Sequence, residues 1–229
     1  MNERPILFSG PMVRAILDGR KTQTRRVIRP NPYDGAFYVL DGWPHRSTDG
    51  QGNRALGMEE PYRSPYGGPG DRLWVRETWA PILTYCDEDA DGWAIEYAAG
   101  GTRRELSPPF EWREREWAKG AREVGRRYDW RPSIYMPRWA SRLSLDLTAI
   151  RVERLQDITA EDARSEGIEV PRCQCEVCAR SPATICPADA SEYIGAFRAL
   201  WDSINGERQG ASWAANPWVW VIGFRAADR

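Results

Sequence analysis

The spacing of apolar and polar residues changes along the chain, and each change marks an element. Residues 1–28 read as strand, helix, turn and strand. Pro11 suits a first helical turn, Met12, Val13, Ile16 and Leu17 fall on one helical face, and Gly19 offers a left-handed cap. Thr22, Thr24, Val27 and Ile28 then favour extended chain until Pro30 stops it. Residues 31–70 are rich in Gly, Pro, Asp, Asn and Ser, which predicts a long excursion with at most a small hairpin around Ala36 to Leu40. After the Pro69-Gly70-Asp71 turn, Arg72 to Thr78 alternates as a strand, Leu73 and Val75 opposite Trp74 and Arg76.

Trp93 to Ala98 reads as a further strand, and the charge-dense stretch 103–131, with Trp112, Trp117 and Trp130, as an irregular or partly helical insertion. Leu143, Leu145, Leu147 and Ala149 alternate along another strand. Thr159 with Asp162 forms a capping pair for a short helix closed by Gly167. Asp189 with Glu192 opens a longer helix, whose Tyr193, Ile194, Phe197, Leu200, Trp201 and Ile204 share a face. Pro217 to Phe224 is a closing strand. Strands and short helices without regular alternation predict an α+β fold on a mainly antiparallel sheet or barrel.

With 229 residues, the chain is long enough for one generous domain or two small ones. It has no apolar run near the roughly 18 residues of a membrane span, and the opening MNERPILFSG lacks a secretory signal's apolar core, so a soluble, cytoplasmic protein is expected. The 32 basic and 33 acidic residues nearly cancel, which excludes a uniformly basic nucleic-acid coat but leaves room for a local basic face. Residues 1–32 supply one: seven basic against two acidic side chains.

The 32 basic residues are 30 Arg and two Lys, Lys21 and Lys119. An amine can give up its proton when desolvated and a guanidinium cannot, so a retained Lys suggests chemistry; codon bias with two survivors explains the count equally well. The single histidine, His45, lies in the polar stretch DGWPHRSTDG, a poor scaffold for a histidine mechanism. Cys173, Cys175, Cys178 and Cys186 form C-x-C-x2-C-x7-C in a polar loop, apart from Cys86. Four thiolates suit a structural zinc ion with no vacant position, while the short C-x-C step leaves iron–sulfur ligation or free thiols open.

Four segments in order carry a resemblance: ILFSGPMVRAILDGRKTQTRR, PYGGPGDRLWVRETW, PSIYMPRWASRLSLDLTAIRVERLQDIT with EDARSEGI, and FRALWDSING with NPWVWVIGF. Together they resemble the ASCH-domain family of the PUA-like superfamily, in the longer form common in phage and prophage genomes. The resemblance covers about half the chain. It implies one domain over 1–229, a small, mainly antiparallel PUA-like β-barrel with flanking short helices. Insertions at about 31–65 and 80–131 and the Cys-rich loop 170–188 stand outside it. It further implies a cleft for RNA, single-stranded nucleic acid or modified nucleosides.

One branch of the family hydrolyses the amide of N4-acetylcytidine with a lysine, a threonine three residues later and a carboxylate on a following strand. Here the first two fall on Lys21 and Thr24, and Asp146-Leu147-Thr148 stands where a Glu-Val-Thr motif is expected, a shorter acid in place of Glu. In such a site Lys21 would be the base, Thr24 the nucleophile and Asp146 the orienting acid. Glu77 is the competing acid, although a structural salt bridge to a buried Arg is the better reading of it. Arg20, Arg25, Arg26 and Arg76, interspersed with Trp74 and Trp79, are equally the cations and flat rings that single-stranded nucleic acid binds, although most of 12 Trp must serve packing.

Overall fold

The computed structural model describes residues 1–28, 37–40, 43–46, 64–86, 91–101, 103–106, 108–118, 128–171 and 187–227. In chain order the first elements are β1 (Glu3–Leu7), α1 (Gly10–Leu17), β2 (Gln23–Val27), β3 (Phe37–Leu40) and β4 (Trp43–Arg46). There follow β5 (Arg72–Arg76), β6 (Trp79–Cys86), β7 (Asp91–Tyr97), β8 (Arg103–Leu106) and α2 (Phe110–Ala118). The last are β9 (Ser144–Arg154), α3 (Ala160–Ser165), α4 (Pro187–Asn205) and β10 (Trp218–Ala226). The fold is α+β with mainly antiparallel strand pairing. No described helix is long and apolar enough to cross a membrane.

The chain divides into two compact units, Met1–Asp18 with Arg72–Asp146 and Ala226–Arg229, and Gly19–Asp71 with Leu147–Arg225. In the first unit β1 runs parallel to β5, with Glu3 opposite Arg72 and Leu7 opposite Arg76, and β5 pairs antiparallel with the start of β9. The helix α1 buries Val13, Ala15 and Ile16, while Leu17 is exposed, so its inner face is rotated from the expected one. β6, β7 and β8 form a three-stranded antiparallel sheet inside the stretch expected to be an insertion. It is a core in its own right: Trp79, Leu83, Trp93, Ile95, Tyr97 and Trp112 cluster there with Met136 and Ala140. β6 escapes a reading by period because WAPILTYC is apolar on both faces and contains Pro81.

In the second unit β10 pairs antiparallel with β2, Thr24 opposite Ile222 and Arg25 opposite Val221. Val219, Trp220, Val221 and Ile222 are all buried, which marks β10 as covered on both faces. Tyr193, Phe197 and Trp201 recur every fourth residue on α4 and pack with Leu155, Ile158, Ala163, Val219 and Val221. β9 changes phase part-way: Leu145 and Leu147 are buried, Thr148 and Ala149 are exposed, and Ile150 and Val152 take over the inner face. The expected inward Ala149 is therefore outward. Gly223 of β10 backs onto this step, where a Cβ would come within 3.2 Å of Thr148 Oγ1. β3 and β4 form the small hairpin expected near residue 40.

Candidate functional site

The second unit gathers its charged groups where β2, β9 and α3 meet. Thr159 caps α3: its hydroxyl accepts from the Asp162 amide and the Asp162 carboxylate accepts from the Thr159 amide. At the other end the Ile168 amide donates to the Ala163 carbonyl and the Gly167 amide to the Arg164 carbonyl. With Gly167 at φ 88° this is a Schellman ending, and it fixes Glu166 as the last residue before the turn. The backbones of Glu166 and Lys21 then form an antiparallel bridge, and the Thr22 amide donates to the Ser165 carbonyl at 2.9 Å. Both ends of a six-residue helix are thus tied down, with Asp162 directed at β2 and Glu166, just past its end, at Lys21 and Arg25.

Lys21 Nζ donates to Glu166 Oε2 at 2.7 Å and to the Glu166 carbonyl at 2.8 Å. Its side chain is fully buried and that of Glu166 is 4% exposed. Loss of water lowers the Lys21 pKa; Glu166 opposes that shift, and Arg26 and Arg25 add to it. Arg25 is also enclosed and meets three carboxylates, Asp162 Oδ2 at 3.0 Å, Glu153 Oε2 at 3.1 Å and Glu166 Oε1 at 3.4 Å. Arg151 joins from β9, pairing with Glu153 and, at 3.0 Å, with Asp162 Oδ1. Gln23 Nε2 completes Asp162 at 3.1 Å. Burial also lowers the Arg26 pKa, against the pull of Tyr66 and Glu166.

Lys21 therefore has Glu166 as its carboxylate partner, the role expected of Asp146, while Glu77 forms the structural salt bridge expected of it. Asp146 lies across from Arg72 in the β5–β9 register and accepts from Arg72 Nε at 2.9 Å. Glu77 forms a buried two-pronged pair with Arg142 at 2.8 and 2.9 Å, with Arg142 over the Tyr97 ring at 4.2 Å. Both acids belong to the first unit. Thr24 is buried on β2, one residue out of phase with Gln23 and Arg25 on the pleat. Glu166 had a legible signal: an acid at a helix C-terminus opposes the macrodipole and needs a local reason.

Within each unit the residues expected to bind nucleic acid take different roles. Trp79 is 1% exposed and packs against Trp112 and Trp139, so it has no free face for a base. Arg25 is spent on carboxylates. Trp74 is buried beneath Arg76 and Arg138, whose guanidiniums lie 4.7 and 6.0 Å from its ring. Arg76 also donates to the Ile134 carbonyl at 3.2 Å, beside exposed Ile134 and Tyr135. Arg20 is partly exposed and pairs with Glu169 at 3.4 Å. Cys173, Cys175, Cys178, Cys186 and Lys119 lie outside the described residues. Among those described, no group of three or more His, Cys, Asp or Glu side chains is placed to hold a metal. In comparisons with known proteins, no family model, curated protein or solved structure matches the chain.

Proposed function

We propose that the protein is an ASCH-type hydrolase of acylated nucleosides, with Lys21 as base and Thr24 as nucleophile. The observation that carries this reading is the enclosure of Lys21: its amine is fully buried and bonded to Glu166, and burial acts to lower its pKa against the pull of that carboxylate. A proton acceptor needs that environment, whereas a phosphate contact is better served by a charged and accessible side chain.

In the proposed reaction the Thr24 oxygen attacks the acyl carbon and its proton passes to neutral Lys21 Nζ. The carbon–nitrogen bond breaks and the nucleobase amine leaves with that proton. Water then attacks the acyl-threonine, giving its proton to Lys21 Nζ; the carboxylic acid departs and the Thr24 oxygen takes that proton back to restore its hydroxyl. The sum is amide plus water to acid plus amine. Glu166 is a positioning residue that orients the ammonium. The PUA-like barrel, a cytoplasmic setting and a structural zinc on the four cysteines are parts of the same proposal, supported by the ordered segments of resemblance and by the cysteine spacing.

Recognition of RNA or single-stranded nucleic acid without reaction is the second reading. It is favoured by Arg76, which lies over the Trp74 ring and donates to the Ile134 carbonyl beside exposed Tyr135. Acetate release from N4-acetylcytidine separates the two. The wild type is expected to turn over, while Lys21→Arg, which keeps the charge, and Thr24→Val, which removes the oxygen, are expected to be inactive though folded. A folded, inactive wild type that binds RNA with salt-sensitive affinity overturns the hydrolase and leaves recognition.

A further inference from the structure

Glu166 is held by two cations of different kinds. Its Oε2 accepts from Lys21 Nζ at 2.7 Å and its Oε1 from Arg25 Nη1 at 3.4 Å, and all three side chains are enclosed. The pleat of β2 sets this up. Lys21, Gln23 and Arg25 stand at alternate positions, and each meets a carboxylate brought by α3 or its ending: Glu166 for Lys21, Asp162 for Gln23, and both for Arg25.

The two cations are not interchangeable. A buried amine can give up its proton, whereas a guanidinium keeps its charge. With Lys21 as its only partner, Glu166 would be left as a buried, uncompensated anion when the amine became neutral, or would take the proton itself. Arg25 removes both outcomes, because Glu166 then keeps a charged partner in either state of Lys21. Arg25 is fixed in turn by Asp162 Oδ2 at 3.0 Å and Glu153 Oε2 at 3.1 Å, with the Phe197 ring of α4 at 5.9 Å. Behind it Arg151 of β9 pairs with Glu153 and Asp162. Loss of water is the first cause that lowers the Lys21 pKa, and Arg26 and Arg25 act in the same direction against Glu166.

We propose that Arg25 is a positioning residue of the Lys21 site, which acts through Glu166 to keep that carboxylate ionised and in place while Lys21 exchanges its proton. The role rests on the hydrolytic reading and deepens it. The proton leaving Thr24 goes to Lys21 Nζ and from there to the departing amine, and Glu166 stays a carboxylate throughout.

Titration of Lys21 followed by NMR in lysine-labelled protein reads this coupling without substrate. In folded Arg25→Met the Lys21 signal is expected to titrate about one pH unit or more above its wild-type value, because a cation has gone and Glu166 is left to Lys21 alone. Glu153→Gln alters a partly exposed side chain and leaves Arg25 with one carboxylate fewer, so that its charge bears more on Glu166. It is expected to move the Lys21 signal down, and it carries the test where Arg25→Met does not fold. In each folded variant the acid limb of the pH profile for acetate release from N4-acetylcytidine is expected to move with the NMR value. An active wild type whose Lys21 signal is unmoved, or moved the opposite way, in either folded variant would overturn the role of Arg25 and leave the hydrolase standing. An inactive wild type would overturn the hydrolase and this role with it.

Discussion

Asp162 accepts through both of its oxygens: Oδ1 takes Gln23 and Arg151, and Oδ2 takes Arg25 and the Thr159 amide. Burial alone would raise its pKa, but the Gln23 hydrogen bond, Arg25, the Thr159 amide and Arg151 together hold it below the ordinary carboxylate range. Because the folded value lies below the unfolded one of about 3.9, this group stabilises the fold above that pH. That contribution is lost as pH falls through the folded value. Asp162→Asn turns one oxygen into a donor facing donors, so urea melts near neutral pH are expected to show a loss of about 2 kcal/mol. The additional loss on going from about pH 7 to about pH 3 is expected to be smaller in the variant than in the wild type. Equal acid sensitivity of the two proteins would remove Asp162 from that role.

The elements with a local cause were legible in the sequence. The Thr159–Asp162 cap, Gly167, the β5 and β10 runs and the Tyr193, Phe197 and Trp201 stripe all follow from turn chemistry or period. What escaped depends on partners distant in sequence. β6 is apolar on both sides because it lies within a tryptophan cluster, and β9 changes phase at Thr148–Ala149, a step that continued alternation does not predict. The site was half legible for the same reason. Lys21 stood out by composition, but Glu166, 145 residues away, is brought to it by a helix ending. Asp146, chosen by motif, is engaged by Arg72, whereas the salt bridge expected of Glu77 is present with Arg142. The Cys-rich stretch 170–188 is an element-scale claim that rests on spacing alone. Protein purified without chelator is expected to carry close to one zinc per chain, and metal-free protein with four freely titratable thiols there would contradict it.

At the scale of the molecule, a chain with formal net charge −1 holds an ionic network inside the second unit, where Lys21, Arg25 and Arg151 meet Glu153, Asp162 and Glu166. Within that network Lys21 is the cation able to become neutral, and the proposed function depends on its doing so. The sequence makes this measurable, since two lysines give two signals. In protein labelled at lysine, the Nζ and Cε resonances are followed by NMR as pH is raised, with Lys119→Arg assigning them. The account predicts that the Lys21 signal titrates below the ordinary value of about 10.4. A Lys21 signal that titrates at or above the ordinary value in folded protein would contradict the account.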